Sequence, residues 1–138
     1  MNVLIACEFS GVVRDAFINK GHDAISCDLL PSTSDLGRMF HYEGDIRDIL
    51  YDRKWDLMIA HPPCTYLSVS GLHWNKNNPE RAQKTEEALE FVKLLMDAPI
   101  EKICIENPIS CISSRIRKPD QIIQPYEFGH DASKRTCL

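Results

Sequence analysis

Apolar residues along the chain come in short continuous runs that alternate with longer, periodically spaced segments. Val3 to Cys7 is a continuous run, the pattern of a short strand covered on both faces. Ser10-Gly11 opens a segment with Val12, Val13, Ala16 and Phe17 on one face and Lys20-Gly21 closes it, which predicts a helix with a glycine stop. His22 to Cys27 returns to strand, closed by Asp28 and the turn-forming Pro31-Ser32-Thr33-Ser34. Asp35 to Tyr42 is weakly patterned and reads as loop or poor helix, with Gly44-Asp45 ending a third strand. Trp55 to Ala60 is another buried run. His61-Pro62-Pro63 stops it, because proline cannot donate to a sheet ladder and biases its predecessor away from helix. Asn78-Pro79-Glu80 supplies a capping side chain, a proline at the first helical position and an acid in the first turn. Ala88, Phe91, Val92, Leu95 and Met96 follow at helical spacing, predicting a helix that ends before Pro99. Lys102 to Ile105 is the next strand, terminated by Glu106-Asn107-Pro108, and Lys134 to Leu138 opens a further strand signal.

Strands separated by helical segments predict an α/β fold, a Rossmann-like doubly wound parallel sheet. The 138 residues contain no repeat or linker, so one domain spanning 1–138 is expected. Hydrophobic residues at 43% and charged residues at 26% exclude disordered and fibrous classes. A formal charge of -4 argues against coating nucleic acid through bulk positive charge, so any such contact has to be local. The six cysteines form no C-x-x-C and no cluster with histidine, which points away from a zinc module or disulfide scaffold and toward reduced thiols and a cytoplasmic setting. The first residues lack a basic leader and a long apolar run, so no signal peptide or membrane span is expected.

In doubly wound sheets ligands sit at the carboxyl ends of strands. The polar residues of this chain collect at those ends: Glu8, Asp28, Asp45, Cys64 and Glu106 follow the five strand signals in turn. Asp28 lies about 20 positions after the first strand–helix turn, where an acid accepts hydrogen bonds from ribose hydroxyls. The turn itself, Cys7-Glu8-Phe9-Ser10-Gly11, has one glycine and an acid, so it offers no cradle for a pyrophosphate. A nucleoside cofactor without phosphates, such as S-adenosylmethionine, fits it better. The plainer alternatives are that Asp28 merely ends a strand and that Asp45 is a solvent-exposed turn acid.

His61-Pro62-Pro63-Cys64 is the second cluster. Two prolines stiffen the loop before a cysteine and lower the entropy of holding its thiol in one attack geometry. A lone cysteine is ordinarily a small buried hydrophobe, but its place after a strand-breaking Pro-Pro favours a nucleophile. Glu106 ends an apolar strand and is followed by Asn107-Pro108, so thiol and carboxyl at strand ends make a candidate catalytic pair.

Pro62-Pro63-Cys64-Thr65-Tyr66-Leu67-Ser68 resembles the nucleophile loop of the DNA cytosine-5 methyltransferases, and Ile105-Glu106-Asn107-Pro108 resembles their Glu-Asn-Val motif. Val3 to Gly11, Asp28 and Gly44-Asp45 occupy the cofactor motifs in the family's order, and Tyr126 to Arg135 weakly resembles its late basic segment. Phe9 stands where the family usually has a glycine, and Thr65 where it has glutamine. The resemblance implies a small phage- or prophage-type member whose recognition region and cofactor-closing segment would lie beyond Leu138. It implies Cys64 as nucleophile, with Glu106 and Asn107 at the cytosine edge. Glu8, Phe9, Ser10, Gly11, Asp28, Leu29, Asp45, Ile46 and Pro62 would hold S-adenosylmethionine. Pro63, Ser68, Arg115, Arg117 and Lys134 would meet DNA. An enzyme acting on a free pyrimidine nucleotide and a non-catalytic binding domain remain the alternatives.

Overall fold

The computed structural model describes residues 1–138, apart from the side chain of Arg38. Two compact units divide the chain, Met1–His61 with Ala98–Cys104, and Pro62–Asp97 with Ile105–Leu138.

A five-stranded, mostly parallel sheet organises the first unit, in the order β3-β2-β1-β4-β5. Its strands are β1 (Asn2–Ala6), β2 (Asp23–Asp28), β3 (His41–Glu43), β4 (Leu57–Ala60) and β5 (Lys102–Ile105), whose last residue is grouped with the second unit. β1 is central and pairs in parallel with β2, from Asn2 opposite Asp23 to Ala6 opposite Cys27, and with β4, from Val3 opposite Leu57 to Ala60 opposite Ala6. The apolar run that predicts β1 is the reason it sits there: Val3, Leu4, Ile5 and Ala6 are fully buried. Burying a Val, Leu or Ile side chain contributes about 1.5 to 3 kcal/mol. This α/β architecture is compatible with a Rossmann-like fold.

Helix α1 (Val12–Asn19) follows β1, packs on β1 and β2 and stops at Gly21 in the left-handed region, at φ 83°. Its buried face differs from the apolar pattern. Val12 is 71% exposed and Ala16 is exposed, whereas Val13, Phe17 and Ile18 pack toward the strands and Arg14 is completely buried. The weakly patterned segment contains a single helical turn, α2 (Gly37–Phe40), that runs straight into β3.

The second unit packs Leu67, Leu89, Val92 and Cys111 into one cluster. It contains the short helix α3 (Val69–Leu72) and α4 (Pro79–Met96), which starts where its punctuation predicts, with the Asn78 side chain accepting the Arg81 amide at 3.0 Å. Asn107-Pro108 does more than end β5. It forms β6 (Asn107–Pro108), and after α5 (Ile112–Arg115) and β7 (Ile122–Ile123) the strand β8 (Thr136–Cys137) lies antiparallel between β6 and β7. Prolines at the edge of a strand pair tolerate the missing donor, which is why Pro108 does not prevent the pairing. Among the described residues no helix is long and apolar enough to cross a membrane.

Candidate functional site

At the end of β1 the backbone turns sharply. Cys7 adopts φ 60°, a left-handed conformation that costs a residue with a side chain roughly 1 to 2 kcal/mol. Gly11 follows at φ 78°. A Cβ there would strike the Arg14 guanidinium and come 2.7 Å from Ser34 Cβ, so only glycine fits.

Gly11 offers no side chain to cap α1, and Glu8 takes over from three residues upstream. Its Oε1 accepts the Val13 amide at 2.7 Å and the Ser10 hydroxyl at 3.2 Å, while Oε2 accepts the Arg14 amide at 3.2 Å. Glu8 is therefore buried in the turn as the helix cap, and most of its hydrogen-bonding capacity is used there. Cys7, Glu8, Phe9, Ser10, Val12, Val13 and His61 line an open depression of about 250 Å³ above it.

Asp28 is the last residue of β2, partly buried, and its Oδ1 accepts the Leu30 amide at 3.0 Å, so the carboxylate is oriented with acceptor capacity to spare. Leu29 beside it is 74% exposed and Phe9 is also exposed, leaving apolar surface next to an oriented acid. Asp45 caps the 3-10 turn Ile46–Asp48, accepting the Arg47 amide at 2.9 Å and pairing with its guanidinium at 2.8 Å. Ile46 is buried in the core beneath, so its side chain is packing. Two thiols complete the region. Burial, then the carboxylates of Asp28 and Asp45, push Cys7 up to about 12. Burial, then Cys7 and the carboxylates of Asp28, Asp45 and Asp48, push Cys27 to about 12 as well. Both are neutral at physiological pH.

Cys64 belongs to the second unit. Pro62 is buried and Pro63 exposed, and the Cys64 carbonyl accepts the amides of Leu67 at 3.0 Å and Ser68 at 2.9 Å, curling the chain directly after the thiol. Cys64 itself is half-buried. The curl is held from outside. Arg81 donates to the Thr65 carbonyl at 3.0 Å and to the Gly71 carbonyl at 3.3 Å. Thr85 donates to the Tyr66 carbonyl at 2.9 Å and accepts Asn75 Nδ2 at 3.0 Å, and the Leu67 carbonyl accepts the Cys111 amide at 2.9 Å. Leu67 fills the core below.

Asn107 ties the Glu-Asn segment to this loop: its Nδ2 donates to the Pro62 carbonyl at 2.8 Å. Asn107 is thus a positioning residue for the loop, 3% exposed. Glu106, half-buried before it, lies near the Cys137 thiol of β8, which burial first and the Glu106 charge second push up. Among the basic candidates, Arg115 bonds both carboxylate oxygens of Glu86 at 2.8 to 2.9 Å and Arg117 bonds both of Asp120 at 2.7 Å; Lys134 is exposed. Ser68 bonds Ser70 at 2.6 Å.

Arg14, Arg81 and Thr85 are absent from the sequence-based set. Thr85 had a signal, since it stands four residues before Leu89 and shares its buried stripe on α4. Among the described residues no group of three or more His, Cys, Asp or Glu is arranged to hold a metal ion. No model of a known protein family matches the chain, and no curated protein matches it.

Proposed function

We propose that the chain carries out cytosine-5 methyltransferase chemistry on a base in DNA, with S-adenosylmethionine as cofactor, Cys64 as nucleophile and Glu106 at the N3/N4 edge of the base. The observation that carries this reading is the 2.8 Å hydrogen bond from Asn107 to the Pro62 carbonyl, which couples the segment bearing the carboxyl to the loop bearing the thiol. A structural cysteine has no need of a loop held at the carbonyls of Pro62, Thr65, Tyr66 and Leu67; a nucleophile that must be presented in one geometry does.

Cytosine C5 is too weak a nucleophile to take a methyl group unaided. Cys64 adds as thiolate to C6, its new S–C bond pushing electron density to C5 while Glu106 supplies a proton or hydrogen bond to the ring nitrogen edge. Bound S-adenosylmethionine supplies an electrophilic methyl group. Loss of the C5 proton afterwards restores the C5–C6 double bond and expels the Cys64 thiolate. Both ring carbons are confined within a stacked duplex, so the base has to be extruded first.

The test is covalent trapping on an oligonucleotide containing 5-fluorocytosine with S-adenosylmethionine present, because fluorine cannot leave as a proton does. A cofactor-dependent protein–DNA adduct that disappears in Cys64→Ser is expected. No adduct from wild-type protein that demonstrably binds the cofactor rejects the reading, and an adduct with 5-fluorodeoxycytidine monophosphate alone moves the substrate to a free nucleotide.

A further inference from the structure

Arg14 is the one fully buried side chain of α1, with no exposed surface at all. A buried guanidinium is costly unless it is paired and hydrogen-bonded, so its partners show what it organises. Nε donates to Asp15 Oδ1 at 2.8 Å and Nη2 lies 2.7 Å from the same oxygen, an ion-pair contact without hydrogen-bond alignment. Nη1 donates to Ser26 Oγ on β2 at 2.8 Å and to Ser32 Oγ at 3.3 Å. His41 on β3 extends the chain of contacts. Its Nε2 faces the Leu30 carbonyl at 2.9 Å, and a carbonyl only accepts, so Nε2 carries the hydrogen and Nδ1 accepts the Ser26 hydroxyl at 2.8 Å.

This network reaches the segment that follows Asp28 at several points. His41 holds the carbonyl of Leu30, Arg14 holds the hydroxyl of Ser32, and Asp15 accepts the Ser34 hydroxyl at 2.5 Å. The Thr33 amide donates to the Phe9 carbonyl at 3.0 Å, joining the segment to the turn after β1. The outer side of the same segment carries Leu29 and Leu30, both exposed. A segment with exposed leucines that is fixed at Leu30, Ser32, Thr33 and Ser34 is a preorganised wall, not a surface loop left to itself.

We infer that Arg14, acting with Asp15, Ser26 and His41, positions the Asp28–Ser34 segment and the Phe9 turn for cofactor binding, without touching the cofactor. This role rests on the cofactor site proposed above. It differs from a role in catalysis, because loosening the wall raises the cofactor concentration needed for half-maximal rate and leaves the rate at saturation alone.

The experiment uses the full chain and compares wild type with Ser32→Ala/Ser34→Ala, which removes two anchors and leaves Arg14 and its burial in place, and with Arg14→Lys. Three quantities are read: calorimetric Kd for S-adenosylmethionine, the trapping rate at saturating cofactor, and hydrogen exchange of the Thr33 amide. The double variant is expected to bind about tenfold more weakly, the scale of one lost net hydrogen bond, with faster Thr33 exchange and a saturated trapping rate within about twofold of wild type. Arg14→Lys, which cannot reach both serines, shifts Kd in the same direction. Unchanged Kd despite faster Thr33 exchange overturns the inference while leaving the cofactor reading intact, as does unchanged Thr33 exchange. A loss confined to the saturated rate also overturns it. Absence of binding by wild type rejects the cofactor reading and the inference together.

Discussion

Asn107 Nδ2 donates to the carbonyl oxygen of Pro62 across 45 residues of sequence, at 2.8 Å and out of contact with water. Pro62 lies past the end of β4, where no strand ladder supplies its carbonyl with a donor, and Asn107 provides one. The bond predicts an asymmetry between two substitutions.

Asn107→Asp replaces the donor with an acceptor facing another acceptor. It is expected to destabilise by about 1 to 3 kcal/mol, the usual range for an unsatisfied buried polar group, and to slow trapping more than Asn107→Ala does. Urea melts and trapping time courses read both effects, and equal rates for the two variants would show that the Pro62 contact does not govern the thiol.

Glu8→Ala removes the cap of α1 and is expected to cost about 0.5 to 2 kcal/mol. Glu8→Gln keeps an acceptor and should recover much of that in a thermal melt. If Glu8→Ala melts as wild type does, the carboxylate is not what ends the turn.

Asp28→Ala should weaken S-adenosylmethionine binding by about 1 to 3 kcal/mol while shifting the melting midpoint little, since its carboxylate accepts an exposed hydrogen bond from the amide of Leu30. Wild-type affinity by calorimetry would remove Asp28 from the cofactor site.

The thiols at Cys7 and Cys27 predict an alkaline limit. Their folded-state values near 12 stand above the ordinary 9.0, so between pH 9 and 12 the unfolded chain has released protons that the folded chain retains, and stability falls as pH rises. Below pH 9 the two states hold the same protons and no slope arises from these groups. Melting midpoints taken from pH 8 to pH 10.5 should decline, and Cys7→Ala should flatten the decline. Iodoacetamide should spare both residues in the folded protein at pH 8.

The central strands were legible because continuous apolar runs such as Val3 to Cys7 have one stable destination, the middle of a sheet. Asn78-Pro79-Glu80 marked the start of α4 for an equally local reason. The face of α1 was not legible: Val12 looks like core, but the helix turns it outward so that Arg14 can reach Ser26 and Ser32, partners that hydrophobic periodicity does not register. Strand β6 was hidden by its length and its proline, and became a strand only through pairing with Thr136–Cys137 some 30 residues away. At the candidate site, residue types and order were readable at Cys64 and Glu106. Their supports were not, because Arg81 and Thr85 act on backbone carbonyls, which every residue has and no sequence advertises.

The carbonyls clamped on either side of Cys64 also fix when its conformational freedom is lost. An unrestrained loop would surrender about 1 to 2 kcal/mol of backbone entropy per residue on meeting its substrate. Here Asn107, Arg81 and Thr85 impose that loss as the unit folds. Under the proposed function, a base would meet a loop already ordered, and its binding free energy would be left for its extrusion from the stack.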